Sequence, residues 1–225
     1  MVNLHFINQI LMTNESDFNH NDYTYQELDI SMLSADPVQQ FQQWLDEAIA
    51  FGITEPYAMC LSTVGKESKP SSRIVLLRGL NENGFEFFTN YESSKGFDIQ
   101  TNPFVSLNFL WLDQARQVRI EGKAQKLSQE RSDEYFNSRP EESKISAWAS
   151  PQSRVLKTRE ELEKLVSEKE AMFKNNKIPK PDFWGGYVVI PELIEFWQGR
   201  ENRLHDRFRY LVLSDGTWKI ERLAP

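Results

Sequence analysis

The sequence predicts a mainly β protein with peripheral helices (α+β), in which the strands form an antiparallel barrel. Short segments of strand type outnumber helical segments, and only a few turn residues separate consecutive strands. There is no regular strand–helix–strand alternation, which a doubly wound parallel sheet requires. Because the predicted strands are close neighbours in sequence, they favour a largely antiparallel barrel over a doubly wound sheet.

Four helices are predicted from capping residues and from the spacing of apolar side chains. Asp36 provides an N-cap, Pro37 is suited to the first helical position, and Gly52 ends this helix. The other three are a short helix ending near Asn102, a helix from Ser128 to the residue before Pro140, and a helix capped by Thr158 and Glu161 with an apolar stripe of Leu162, Leu165, Val166, Met172 and Phe173.

Nine segments are predicted as strands from their β-branched and aromatic residues. Asn83-Gly84 predicts a tight hairpin between two of them. The predicted strands are 58–64 (AMCLSTV), 72–80 (SRIVLLRGL), 84–90 (GFEFFTN), 104–112 (FVSLNFLWL), 117–127 (QVRIEGKAQKL), 185–190 (GGYVVI), 194–199 (IEFWQG), 208–213 (FRYLVL) and 217–223 (TWKIERL).

Composition excludes several function classes. The 225 residues carry 26 Lys and Arg against 33 Asp and Glu, a net charge of −7, which does not fit nucleic-acid binding. One cysteine and three histidines exclude a disulfide framework and a cysteine- or histidine-rich metal site. No apolar run approaches the ~20 residues of a membrane span, so we expect a cytoplasmic protein without a membrane partner. From the cysteine and histidine counts, we also expect no bound metal.

Charge is distributed unevenly along the chain. All 26 basic residues lie after residue 65, whereas nine acidic residues lie before it. The polar residues 1–22 are predicted to be a mobile acidic arm. Residues 23–225 are predicted to form one domain, because their length suits a single core.

Two segments in the first half of the chain suit an anionic ligand. Ser93, Ser94 and Lys95 lie at the start of the short helix, where free amides, hydroxyls and a charge suit phosphate. An ordinary helix cap is the alternative there. Arg73 and Arg78 bracket an apolar run, on opposite faces of a strand unless the strand ends between them. An edge strand with solvent-facing arginines is the alternative for this pair.

A third segment combines a phenol, a guanidinium and a hydroxyl. Tyr135 and Arg139 are four residues apart on one predicted helix, and Ser143 follows just beyond Pro140. These groups suit a second phosphate. The alternative is a helix C-terminus at which Arg139 meets the helix dipole while Tyr135 packs.

The fourth segment follows an aromatic strand near the C-terminus. Arg203, His205 and Arg207 lie within five residues, and a planar ligand can stack on Trp197. The alternative is a turn in which Asp206 pairs with Arg203 or Arg207. A fifth candidate, Gln117, lies on the polar side of its strand, where it suits the edge of a heterocycle or simply a surface position.

Residues 194–207 (IEFWQGRENRLHDR) closely resemble the C-terminal signature of the pyridoxine (pyridoxamine) phosphate oxidase family. The resemblance extends over about 23–225. Further matching segments are 72–78 (SRIVLLR), 87–90 (FFTN), 116–122 (RQVRIEG), 135–140 (YFNSRP), 143–150 (SKISAWAS), 183–186 (FWGG) and 221–225 (ERLAP).

The resemblance implies a split β-barrel homodimer with FMN at the subunit interface. It also implies oxidation of pyridoxine 5'-phosphate or pyridoxamine 5'-phosphate to pyridoxal 5'-phosphate, with O2 as acceptor and hydrogen peroxide as product. The flavin site carried over by position is Arg73, Ile74, Val75, Leu76, Leu77, Arg78, Phe88, Thr89, Ser94, Lys95, Gln117, Gln152, Ser153, Trp197 and Arg207.

The substrate site follows from the resemblance in the same way. Arg203 and His205 are the implied catalytic residues, and both lie beside the pyridine ring. In the flavin site, an arginine is common in the family at the position that Ser94 occupies here. Two other functions stay open: a non-catalytic split barrel that binds flavin or pyridoxal phosphate, and a flavin reductase. The implied substrate contacts are Arg78, Tyr135, Arg139, Ser143, Arg203, Leu204 and His205.

Overall fold

Five α-helices and nine strands make up residues 27–225, the part of the chain that this computed structural model describes. The predicted acidic arm, residues 1–22, lies outside the described residues. The helices are α1 (Pro37–Phe51), α2 (Ser94–Thr101), α3 (Gln129–Ser138), α4 (Glu141–Ala149) and α5 (Arg159–Phe173). The strands are β1 (Ala58–Val64), β2 (Pro70–Leu76), β3 (Gly79–Asn81), β4 (Gly84–Asn90), β5 (Phe104–Trp111), β6 (Arg116–Lys126), β7 (Trp184–Gln198), β8 (Asp206–Val212) and β9 (Trp218–Leu223).

The nine strands form one antiparallel sheet that curls into a half-barrel. Its order is β2-β1-β5-β6-β7-β4-β3, and β8 and β9 continue from β7. The 15-residue β7 pairs with β6 along one edge and with β4 and then β8 along the other. The Arg78 amide, just after β2, donates to Glu86 O on β4 at 2.8 Å, so the chain leaving one end of the sheet returns to the other. The predicted antiparallel β class is therefore confirmed.

The main core lies between the curled sheet and α1. Phe41 on α1 contacts Phe85 and Phe109 edge-on, with ring centroids 4.9 and 4.8 Å apart. On the next turn, Trp44 meets Phe196 at 5.1 Å. All these rings are buried, so α1 closes the barrel with apolar surface. Asp36 and Gly52 cap the helix as predicted.

A second, smaller core joins α3, α4 and α5 to the start of β7. Its buried members are Phe136, Ile145, Ile178 and Trp184, and Phe88 on β4 packs against them. Met172 on α5 is 60% exposed, so its predicted place in the apolar stripe is wrong. The face of α5 that contacts the second core is narrower than predicted. It contacts that core through half-buried residues such as Val166 and Phe173.

Three elements differ from prediction. The predicted strand 72–80 is divided into β2 and β3, because the chain leaves the β1 pairing after Leu76 and the Arg78 amide bonds to β4. The segments 185–190 and 194–199 form one strand, β7. Its pairing with β6 shifts register between Glu121 and Gly122. This irregularity accommodates Pro191, which lacks an amide hydrogen. Helix α4 was not predicted, since Pro140 at its N-cap position makes no side-chain cap bond. The hairpin lies where Asn83-Gly84 predicts, with Gly84 as the first residue of β4.

A buried ion pair attaches α3 to the sheet. Glu86 on β4 is only 3% exposed, and Arg131 donates to its Oε2 from Nε at 3.0 Å and from Nη2 at 2.9 Å. Asn81 donates to the other carboxylate oxygen at 2.9 Å. This fork fixes the helix that carries Tyr135 and Arg139 over β4.

Replacing Arg131 by methionine is expected to lower the free energy of unfolding by about 3 kcal/mol, because Glu86 stays buried without its cation. Urea unfolding followed by circular dichroism measures the change. The matched control is Arg159→Met, whose partner Glu163 is solvent-exposed on α5; its effect is expected to stay within about 0.5 kcal/mol. Equal effects of the two substitutions would contradict this role for the buried pair.

Candidate functional site

A cleft of about 500 Å³ opens between the ends of β2 and β4, α3 and the residues that follow α4. Four cations line it, and no lining residue within 27–225 is Asp or Glu. In a chain of net charge −7, this local excess of positive charge favours an anionic ligand of small-molecule size. The cations are Arg73, Arg78, Lys95 and Arg139.

Arg73 and Arg78 reach the same cleft because β2 ends between them. The strand stops at Leu76, after which Leu77 donates from its amide to Tyr57 O at 2.9 Å. Arg78 then joins β4 through its amide, so strict alternation of side chains is lost. Arg73 is half-buried on the edge strand β2, whereas Arg78 is exposed between β2 and β3, so both predictions for this pair hold in part.

Lys95 lies at the floor of the cleft, and its hydrogen-bond partners are neutral. Its ammonium nitrogen lies 3.2 Å from Thr89 Oγ1 and 3.3 Å from both Ser93 Oγ and Gln152 Oε1. Burial, and then the neighbouring Arg73 guanidinium, lower the pKa of Lys95. A buried cation with neutral partners beside a second cation is what a phosphate site requires.

Arg139 forms the second positive region, above a group of stacked rings. Phe88 stacks on Tyr135 at 3.9 Å and on Trp184 at 5.6 Å, and the guanidinium carbon of Arg139 lies 4.7 Å from the Trp184 centroid. Its Nη1 is buried without a hydrogen-bond partner in the described chain. Burial lowers the pKa of Arg139, Arg78 lowers it further, and Tyr135 acts in the opposite direction. An unsatisfied buried donor next to another cation indicates room for an anion.

Several implied site residues lie beside the cleft without lining it. Ser94 is exposed in the first turn of α2, and Leu77 is buried in the core. Ser143 lies on α4, where Ser146 rather than Ser143 lines the cleft. Ser153 follows Gln152 in a left-handed conformation, with φ of 70°.

The cleft also contains residues that sequence reasoning did not assign to it. Trp184 belongs to a matching segment, yet only the fold shows that it stacks beneath Arg139. The others also belong to matching segments, 87–90 on β4 and 143–150 on and after α4, but no site role was predicted for them. These residues are Asn90, Ser146, Ala147, Ser150 and Trp184.

A second group of candidates lies elsewhere on the sheet. Gln117, Trp197 and Arg207 are direct cross-strand neighbours on β6, β7 and β8. Arg203 and His205 follow in the turn between β7 and β8. None of these five lines the cleft of this copy, and neither does Leu204, which is 69% exposed. Within one copy of the chain, these candidates therefore form a second group that is separate from the cleft.

The turn after β7 holds His205 in a defined state. The Arg200 amide donates to His205 Nδ1 at 3.0 Å, and the imidazole lies 4.6 Å from the Trp197 ring. Because Nδ1 accepts, the neutral imidazole carries its proton on Nε2. Burial and the Arg203 charge lower the pKa of His205, which favours that neutral form. Arg203 itself has a left-handed backbone, with φ of 62°.

The ion pairs around this turn differ from the sequence alternative. Asp206 contacts Arg200 at 3.6 Å and Arg222 at 2.8 Å. Arg207 instead donates to the buried Glu195 at 2.8 Å and to Ala224 O at 2.9 Å. Pairing of Asp206 with Arg207 is therefore wrong: Glu195 and the C-terminal backbone hold Arg207 at the edge of β8.

Within residues 27–225, no helix is long and apolar enough to cross a membrane. No group of three or more His, Cys, Asp or Glu side chains there is arranged to bind a metal ion.

Two family models match the chain. Residues 45–172 match the model described as pyridoxamine 5'-phosphate oxidase. Residues 184–225 match the model described as the pyridoxine 5'-phosphate oxidase C-terminal dimerisation region.

Relatives named pyridoxine/pyridoxamine 5'-phosphate oxidase match almost the whole chain. One from Cupriavidus pinatubonensis is 50% identical over 203 residues, 90% of this chain and 95% of the relative. One from Actinobacillus pleuropneumoniae is 52% identical over 91% of this chain and 96% of the relative.

Solved structures share the fold. PhzG from Burkholderia lata, solved in complex with tetrahydrophenazine-1-carboxylic acid, superposes with a TM-score of 0.83 at 28% identity over 89% of this chain and 99% of its own. A pyridoxamine 5'-phosphate oxidase-related, FMN binding protein from Nostoc punctiforme has a TM-score of 0.68 at 16% identity, over 86% of this chain and 100% of its own.

Replacing Arg203 by glutamine is expected to raise the pKa of His205, because the neighbouring positive charge no longer disfavours the imidazolium. Two-dimensional proton–nitrogen NMR of the imidazole measures the titration, and His205→Asn identifies its signals. The control is Arg154→Gln, which removes an exposed arginine that faces Glu92. An unchanged or lower pKa in the Arg203 variant would contradict the geometry of this turn.

Proposed function

Because the chain belongs to the pyridoxine/pyridoxamine 5'-phosphate oxidase family, we propose that the cleft and the second group of candidates are two half-sites, which form one active site across a homodimer. The chain is an FMN-dependent oxidoreductase that converts pyridoxine 5'-phosphate and pyridoxamine 5'-phosphate to pyridoxal 5'-phosphate. The observation that carries the proposed arrangement is the cleft itself, whose four cations form two positive regions with no carboxylate among the described lining residues.

The first positive region fits the phosphate of FMN. Lys95 and Arg73 are near enough for one charge to lower the pKa of the other, and Thr89 and Gln152 add polar groups beside them. Residues 74–76 and Phe88 line the adjoining wall and suit the flavin ring. Bound FMN supplies the two-electron acceptor for oxidation of the substrate carbon. The protein's residues bind and orient it.

The second positive region fits the substrate phosphate. Arg78 and Arg139 supply charge, and Arg139 has a buried donor without a partner among the described residues. Tyr135 adds a phenol, and Ser143 lies close by on α4. Two phosphorylated ligands explain why two pairs of cations meet in a protein that is acidic overall. A flavin carrier needs only the first pair, so this second pair favours the oxidase over the carrier.

The other half-site supplies the groups for the reacting ring. We assign Arg203 and His205 to the pyridine: His205 donates from Nε2, and Arg203 brings a positive charge to the substituent of the reacting carbon. Leu204 between them adds an apolar contact. Gln117, Trp197 and Arg207 form the cross-strand row that faces the flavin. The protein's contribution is to hold both rings in reactive contact.

A homodimer joins the half-sites. The dimerisation region comprises residues 184–225, which include Trp197, Arg203, His205 and Arg207. In a two-fold dimer, the half-site of each copy meets the cleft of the other, so two identical sites form. We further propose that O2 reoxidises the flavin and that hydrogen peroxide is released, as the family resemblance implies.

The overall reaction is tested with purified protein, added FMN and pyridoxine 5'-phosphate in air. Pyridoxal 5'-phosphate and peroxide in equal amounts are the expected products. Product without peroxide would contradict O2 as acceptor. Bound flavin without any product would favour the carrier.

Subunit complementation tests the shared site. Arg139→Leu and Arg203→Leu homodimers are each expected to be nearly inactive. A heterodimer of the two, purified with two different affinity tags, has one site with both substitutions and one site with neither. It is expected to recover about half of the wild-type activity per dimer. A heterodimer as inactive as its parents would contradict a site built from two chains.

A further inference from the structure

We propose that Thr63 and Asp98 are positioning residues that hold the Arg73 guanidinium toward the ligand phosphate. This inference rests on the proposed function, in which Arg73 and Lys95 bind the phosphate of FMN. Neither Thr63 nor Asp98 lines the cleft, so both act through Arg73.

The contacts form a chain from α2 through β1 to β2. Arg73 donates from Nη1 to Thr63 Oγ1 at 2.7 Å and to Leu61 O at 3.2 Å. Thr63 in turn donates its hydroxyl proton to Asp98 Oδ2 at 2.6 Å. Thr63 is fully buried. Water therefore does not compete for its hydroxyl, and the order of donors along this chain is fixed.

Asp98 sets the direction of the hydroxyl. An ionised carboxylate only accepts hydrogen bonds, so the single Thr63 proton points to Asp98. The lone pairs of Oγ1 are then left for Arg73. The carboxylate lies 3.9 Å from Arg73 Nη2, beyond hydrogen-bond distance, so its effect on orientation passes through the threonine.

The local backbone brings these groups together. Thr63 and Arg73 lie on the paired strands β1 and β2, where Thr63 faces Ser71 and Arg73 faces Leu61. Asp98 is three residues after Lys95 on α2, so one helix carries both the cleft ammonium and the carboxylate behind Arg73. A Cβ at Gly65 would lie 2.5 Å from Asp98 Oδ1, so this close approach depends on glycine.

The arrangement solves an electrostatic problem in the cleft. Arg73 and Lys95 repel each other, and burial disfavours both charges. Asp98 offsets the repulsion and the cost of burial from behind Arg73, without placing a negative charge in the cleft lining. The guanidinium thus has a preset direction before a phosphate binds, which lowers the entropy lost on binding.

The test compares FMN with riboflavin, which lacks the phosphate. Dissociation constants are measured by flavin fluorescence on the full chain after its flavin is removed. Thr63→Val keeps the size and β-branching of threonine but removes the hydroxyl. It is expected to weaken FMN binding about tenfold, as the loss of a hydrogen bond to a charged group does. Riboflavin affinity is expected to stay within about twofold, since no phosphate contact is involved.

Three further variants separate positioning from folding. Thr63→Ser keeps the hydroxyl and is expected to restore FMN affinity. Thr101→Val is the matched control, because that hydroxyl bonds only the backbone of α2 in an exposed position. In an Arg73→Lys background, Thr63→Val is expected to have no further effect on FMN affinity, because the guanidinium it positions is gone.

Two results would overturn the inference. An equal loss of FMN and riboflavin affinity in Thr63→Val would show a general structural effect, and unchanged FMN affinity would show that Arg73 needs no positioning. Both are distinct from failure of the proposed phosphate site. In that case the wild-type protein itself would bind FMN and riboflavin equally well, and the positioning role would fall with it.

Discussion

Repulsion within two pairs of cations, Arg73 with Lys95 and Arg78 with Arg139, is the constraint on which the arrangement of this cleft depends, because three of the four are at least partly buried. Water normally screens such charges, and removing it makes each unpaired cation unfavourable. The fold compensates in three ways: Asp98 and Thr63 lie behind Arg73 outside the cleft lining, neutral oxygens surround Lys95, and the Trp184 ring lies beneath Arg139. The remaining positive potential favours an anionic ligand, in keeping with the phosphorylated ligands proposed above.

The curled sheet explains why the candidate residues fall into two separate groups within one copy. The cations come together at one end of the half-barrel, near the N-terminus of α2. There the Arg78 amide, just after β2, bonds to β4. The row formed by Gln117, Trp197 and Arg207 runs across three strands elsewhere on the same sheet. A single copy does not bring the two together, so the proposed chemistry requires the dimer that the C-terminal region indicates.

Much of the fold was predictable from local patterns, whereas the site was predictable mainly through the resemblance. Caps such as Asp36 and Thr158 act within one turn, so they mark helix ends reliably. Convergence of Arg73 with Arg78 depends on where β2 ends, and stacking of Trp184 beneath Arg139 depends on tertiary packing. Neither has a periodic signal. The roles of all the implied site residues stay predictions, and Ser94, Ser143 and Ser153 do not line the cleft of this copy.

Anaerobic reduction of the bound flavin tests the central claim most directly, because it isolates the step that both phosphate regions serve. Holoenzyme is mixed without oxygen with pyridoxine 5'-phosphate, with unphosphorylated pyridoxine, or with NADPH, and the visible flavin absorbance is followed. The account predicts rapid bleaching by the phosphorylated substrate alone, with loss of that rate when Arg139 is replaced by leucine. Equal bleaching by pyridoxine, or bleaching by NADPH only, would contradict it.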